Sequence, residues 1–119
     1  KRITRDHSLV QEMVEAGKIT VDEAFSHPNR NIITKALGVD EKVEGDFERF
    51  PLFNGDLLLL CSDGLCGFAE DSLIRKAFVD LAGEPPIQLS PLANRFIELA
   101  YACGGGDNIS VALYWHQEN

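Results

Sequence analysis

The stretch Asp56-Leu57-Leu58-Leu59-Leu60-Cys61-Ser62-Asp63-Gly64-Leu65 decides the fold. Leu57 to Cys61 are apolar without alternation, so a strand built from them has no polar face to offer water and is expected to be covered on both sides. No apolar run in the chain is longer than these five residues, far short of the ~20 that a membrane span requires. Ser62-Asp63-Gly64 follow at once. An aspartate next to glycine at a strand end brings its carboxylate forward while the backbone turns away.

Upstream of this strand, Asn54-Gly55-Asp56 is a turn signal that separates it from a second strand candidate, Phe47 to Phe53, in which Pro51 marks an edge or a break. Residues 31–36 have strand composition, and from Gly38 a polar loop carries Asp40, Glu41, Glu44 and Asp46, expected to be solvated. Ser8 with Gln11, and Thr20 with Glu23, are capping-box pairs that open two short helices. Gly17 ends the first, and Pro28 closes the second by pushing its predecessor out of helical geometry. Residues 8–30 carry too few large apolar side chains for a core and read as a two-helix flap against another surface.

Downstream, Glu70 or Asp71 caps a helix with Leu73, Ile74, Ala77, Phe78 and Leu81 on one face, broken by Gly83-Glu84-Pro85-Pro86. Ser90-Pro91 is a helix start with Leu92, Phe96, Ala100 and Cys103 as its buried stripe. Gly104-Gly105-Gly106 ends that helix. Ile109, Val111, Leu113 and Trp115 then alternate with Ser110, Ala112 and Tyr114, the pattern of a half-buried strand. The expected order is helix, helix, three strands, helix, helix, strand, an α+β arrangement.

The chain has 119 residues, 45% hydrophobic and 25% charged, which is one globular domain at most. Its net charge is −8, so neither nucleic acid nor an anionic membrane is an expected partner. No basic start followed by an apolar stretch marks a signal peptide. Three cysteines, Cys61, Cys66 and Cys103, are too few and too irregularly spaced for a disulfide framework or a zinc site. Buried inert thiols in a reducing, cytoplasmic setting are expected. The opening Lys1-Arg2-Ile3-Thr4 lacks an initiator methionine and runs straight into a helix start. It reads as a piece of a longer polypeptide, with a processed or expressed form as an equal alternative.

Two places carry potential chemistry: Ser62-Asp63-Gly64 after the apolar strand, and Gly104-Gly105-Gly106-Asp107-Asn108 before the last one. If the two strands are neighbours, Asp63 and Asp107 converge, and hard divalent cations such as Mg²⁺ and Mn²⁺ take such carboxylate oxygens. By spacing alone, turn-forming aspartates are the plainer reading. A phosphate-binding loop at residues 63–67 lacks its lysine and its glycine spacing. His7 and His27 are expected in surface or capping roles, His116 in solvent, and Arg30 in a surface ion pair.

Four segments, in order and spanning essentially the whole chain, resemble the metal-dependent protein phosphatases of type 2C, the PPM serine/threonine phosphatases. Asp56 to Leu65 looks like the family's strand motif, and Gly105-Gly106-Asp107-Asn108-Ile109-Ser110-Val111 like its last metal motif. Thr4-Arg5-Asp6-His7-Ser8 and residues 27–38 look like the bacterial branch on either side of the flap.

The resemblance implies a four-layer α-β-β-α sandwich with two cations, Mn²⁺ or Mg²⁺, and hydrolysis of phosphoserine and phosphothreonine in a phosphorylated protein substrate by metal-activated water. It makes Asp63 and Asp107 metal ligands, supported by Gly64 and Asn108. The family's upstream Asp-Gly-x-Gly-Gly motif and phosphate-gripping arginine are absent from these 119 residues. The whole chain, 1–119, then corresponds to the C-terminal half of one such domain and is expected to be inactive alone. Its partners would be the N-terminal half or, through exposed strand edges, another copy. A non-catalytic, phosphatase-like regulatory or protein-binding module stays open as the alternative.

Overall fold

The computed structural model describes residues 1–83 and 86–118. The chain divides into two compact units, Lys1–Phe50 and Pro51–Asn119.

In the second unit the turn at Asn54–Asp56 forms as expected. Gly55 adopts φ +92°, open to glycine and costly for other residues, and its N–H donates to the carbonyl of His116 at 2.8 Å. Asp56 completes the turn by accepting the Phe53 N–H on Oδ2 at 2.8 Å. Strand β1 (Leu57–Cys61) then pairs antiparallel with β2 (Val111–Trp115), in a register that sets Leu57 opposite Trp115 and Cys61 opposite Val111.

The side-chain period of two sorts this ribbon into faces. Leu57, Leu59, Cys61, Val111 and Leu113 pack on a buried cluster of Leu65, Ala69, Ala77, Leu92, Phe96 and Ala100. That cluster comes from α3 (Asp63–Cys66), α4 (Asp71–Ala82) and α5 (Leu89–Ala102), with Ala69 in the link between α3 and α4. Phe96 is fully buried and meets Phe78 edge to face, ring centres 4.8 Å apart. The opposite face of the ribbon is open: Leu60 is 63% exposed and Tyr114 49%. The two-sided cover expected for β1 is therefore present on one side only, within this unit. Trp115, the chain's single tryptophan, is half-buried, and its indole N–H is shut off from solvent without a hydrogen-bond partner among the described residues.

Several expectations are corrected here. The Phe47–Phe53 segment is not a strand; Pro51 lacks a donor, and no described strand lies beside it. Helix α3 was not foreseen, because four residues are too few to show helical periodicity. Helix α5 starts at Leu89, two residues before Pro91. Proline is tolerated there because the first helical N–H groups have no partner inside the helix. His116 is half-buried, its backbone N–H donating to Asp56 at 2.8 Å and its ring 3.2 Å from the Tyr114 hydroxyl. Cys61, Cys66 and Cys103 are half-buried thiols, not fully buried ones. Gly83 ends α4 as expected, whereas Glu84 and Pro85 of the same breaker lie outside the described residues.

The first unit has α1 (Leu9–Glu15) and α2 (Val21–Ser26). Ser8 Oγ accepts the Gln11 N–H at 3.2 Å, but the Gln11 amide donates to Glu15, so that capping box is half made. At the other end, Gly17 at φ +69° sends its N–H to Val14, and the Lys18 N–H reaches Met13, closing the helix with two paired carbonyls. The Thr20–Glu23 box is complete, at 2.7 and 3.1 Å, and its bonds hold the Glu23 carboxyl below the usual carboxylate range.

The strand expected over residues 31–36 is reduced to a single bridge, Ser8 with Ile33, flanked by Leu9 N–H to Ile32 and Thr34 N–H to His7. A β-branched stretch needs a partner ladder, and the chain offers it only the two residues before α1. The acidic loop is exposed, but Asp46 is tied to the His7 ring at 2.7 Å and lies 3.9 Å from Lys35. Val10 is the one buried side chain of this unit among the described residues, while Leu37 is 89% exposed and Phe47 96%.

Phe96→Ala is expected to lower stability by about 3–5 kcal/mol, since it empties the centre of the cluster; the drop in the urea midpoint of the second unit measures it. In the first unit, Arg5 forks onto Glu15 at 2.6 and 2.7 Å and holds that carboxyl down at about 2 from an ordinary 4.5. A folded value below the unfolded one means the tie is fully present above about pH 4.5 and is lost as pH falls through about 2. Carbon-detected titration of the Glu15 carboxylate should show this midpoint, and Arg5→Ala should return it toward the ordinary value.

Candidate functional site at one end of the sheet

The antiparallel register brings the exit of β1 and the entry of β2 to the same end of the ribbon. The pairing runs one step past the strands: the Ser62 N–H donates to the Ser110 carbonyl at 2.9 Å. The Ser62 hydroxyl donates to the Asn108 carbonyl and accepts the Ser110 N–H, both at 3.0 Å. These bonds hold the Asp63 and Asp107 segments side by side, which is the condition the sequence reading set for the two aspartates.

Asp63 is the first residue of α3 and is exposed. Gly64, next to it, is buried against the other segment. A Cβ there would lie 2.1 Å from the Asn108 carbonyl oxygen, so any side chain at 64 forces the two segments apart. Asp107 is exposed, and its Oδ1 accepts the N–H of Asn108 at 2.7 Å, which fixes the rotation of the carboxylate. Asn108 contributes its main chain, as the acceptor for Ser62 and the wall beside Gly64. The glycine run before Asp107 has its own reasons: Gly104 and Gly105 have φ +129° and +56°, and a Cβ on Gly106 would meet the Phe68 ring at 2.6 Å.

The structure thus brings Asp63, Gly64, Asp107 and Asn108 to one place. Ser62 was missed. Only the strand register reveals it, since nothing in a lone serine before an aspartate announces two partners 46 and 48 residues away. The other residues singled out fall elsewhere. His27 accepts the Asn29 N–H on Nδ1 at 3.1 Å, a local cap, and His7 belongs to the Asp46 tie. Arg30 donates to the Phe25 carbonyl at 3.1 Å and lies 5.7 Å from the centre of the Phe25 ring, a local role within the first unit.

In kind, two exposed carboxylates and nearby carbonyls are the hard oxygen donors that Mg²⁺ or Mn²⁺ takes. In number they are too few: among the described residues no group of three or more His, Cys, Asp or Glu is placed to hold a metal ion. The site fits part of a divalent-cation shell. Also among the described residues, no helix is long and apolar enough to cross a membrane.

No family model matches the chain. It is 41% identical over 113 residues to the serine/threonine phosphatase Stp of Listeria innocua, a match that covers 95% of this chain and 43% of that protein. Among solved structures, the serine/threonine phosphatase Stp1 from Staphylococcus aureus superposes with TM-score 0.82 at 36% identity, over 100% of this chain and 44% of that one. The catalytic domain of the serine threonine protein phosphatase PstP, solved with two manganese ions, superposes with TM-score 0.74 at 36% identity, over 93% of this chain and 42% of that one. The chain spans less than half the length of these relatives. In sequence and fold alike, the chain is similar to the C-terminal part of bacterial PPM, or type 2C, serine/threonine phosphatases.

Proposed function

We propose that this chain is the C-terminal half of a cytoplasmic phosphatase domain that hydrolyses phosphoserine and phosphothreonine in protein substrates, and that Asp63 and Asp107 are its contribution to a two-cation centre. The observation that carries this reading is the bonded juxtaposition of the Asp63 and Asp107 segments at one end of the β1–β2 ribbon. Bound Mn²⁺ or Mg²⁺ supplies an activated water and neutralises phosphoryl oxygens. The chain's part is to offer two carboxylates, to keep the segments close through Gly64, and to fix the Asp107 carboxylate with the Asn108 N–H. The remaining ligands come from an N-terminal half.

The open face of the ribbon, with Leu60 and Tyr114, is where a second sheet would complete a four-layer sandwich. Without that sheet, the same face and the unpaired strand edges favour association of the isolated piece with another copy. Residues 8–30, with one buried side chain, are the two-helix flap of the domain.

In the complete domain, Asp63→Asn and Asp107→Asn should each abolish turnover of a phosphopeptide and weaken Mn²⁺ binding in calorimetry, because a neutral amide replaces an anionic oxygen ligand. Asp71→Asn, at the first residue of α4, is the control: it should cost at most about 1 kcal/mol through the helix dipole and leave turnover intact. Turnover and Mn²⁺ binding in the two site variants equal to the parent's would make both aspartates simple turn residues. The isolated 119 residues should hydrolyse an aryl phosphate in Mn²⁺ poorly or not at all. A rate near that of a full-length relative would show that the chain completes its own site.

A further inference from the structure

Ser110 spends both of its main-chain groups on one residue. Its carbonyl accepts the Ser62 N–H at 2.9 Å, and its N–H donates to the Ser62 hydroxyl at 3.0 Å. The hydroxyl's own proton goes to the Asn108 carbonyl at 3.0 Å. A serine hydroxyl has one donor, and here that donor and an acceptor site are both used across the strand pair. The segment Asn108–Ser110 is therefore arched over Ser62. Ile109, at the centre of the arch, packs its side chain toward the buried cluster. Asp107 and Asn108 form the leading edge of this arch, and Asp63 follows Ser62 directly.

We infer that Ser62 is a positioning residue: its hydroxyl sets the Asp107 segment against Asp63 and so fixes the spacing at which the two carboxylates meet a divalent cation. This rests on the proposal that both aspartates are cation ligands. The physical case is one of division of labour. The Ser62 main-chain N–H already extends the sheet ladder, so the fold does not need the hydroxyl for pairing. What the hydroxyl adds is a second and a third bond, both to the segment that carries Asp107. Removing it leaves the Asn108 carbonyl without its donor and the Ser110 N–H without its acceptor, next to a glycine that offers no side chain in replacement. Water can satisfy both groups at this exposed end, so stability changes little, whereas the arch loses its fixed height above Ser62. A ligand pair held loosely binds its cation less well, and loss of such supporting bonds ordinarily costs 10- to 100-fold in metal affinity.

The test is calorimetric titration of Mn²⁺ into the complete domain, beside thermal melting of the metal-free protein, for the parent, Ser62→Ala, Ser62→Thr and Asp63→Asn. Ser62→Ala is expected to weaken Mn²⁺ binding about tenfold, with the metal-free melting temperature close to the parent's. Ser62→Thr, which keeps the hydroxyl, is expected to restore the affinity. Amide hydrogen exchange at Ser110 should speed up in Ser62→Ala and not in Asp63→Asn. If the threonine variant does not fold, this exchange measurement decides in its place. Should Asp63→Asn lose Mn²⁺ while Ser62→Ala binds it like the parent, the positioning role falls and the cation site stands. Should Asp63→Asn itself bind like the parent, the cation site falls and takes this inference with it. A Ser62→Ala variant that melts far below the parent, with no rescue by threonine, would make the hydroxyl a structural bond and nothing more.

Discussion

Everything at the candidate site depends on one constraint, the register in which β1 meets β2. Cys61 opposite Val111 puts the residue after one strand beside the residue before the other. A slip of β1 by a single residue against β2 would turn Leu58 and Leu60 toward the helices and Leu57 and Leu59 away from them. The register is thus specified by burial of Leu57, Leu59, Val111 and Leu113 on Leu65, Leu92 and Phe96. Chemistry at the strand ends is a by-product of packing in the middle. The two carboxylates come together because apolar side chains several residues away have only one favourable alignment.

The parts of the fold that local rules govern were legible in the residues. Thr20–Glu23 predicted a cap and formed it in full, Gly17 ended its helix, and the alternation from Ile109 to Trp115 gave a half-buried strand. The apolar run Leu57–Cys61 marked the central strand, and Asp63 and Asp107 were legible as a pair once neighbouring strands were assumed.

The misreadings concern segments whose structure depends on a partner. Residues 31–36 and 47–53 have the side chains of strands, but a strand exists only when another backbone receives its hydrogen bonds, and here a single bridge at Ile33 is all that forms. The same reasoning explains β1, whose second apolar face has no cover within its unit. Helix α3 escaped notice because it is one turn long and begins at the very aspartate that reads as a turn residue. Ser62 escaped because its partners are distant in sequence and are main-chain groups, which leave no trace in side-chain identity.

Trp115 closes the end of the ribbon opposite Asp63, paired with Leu57. As the only indole in the chain, it is a built-in optical reporter for that end of the sheet. Its N–H lies buried without a hydrogen-bond partner among the described residues, so its emission senses the polarity of whatever settles around it and not a fixed internal bond. Trp115 shares the helix-facing side of the ribbon with Leu57 and Leu113, so fluorescence from this one position follows packing at the far end of that side, with the aspartate segments optically silent.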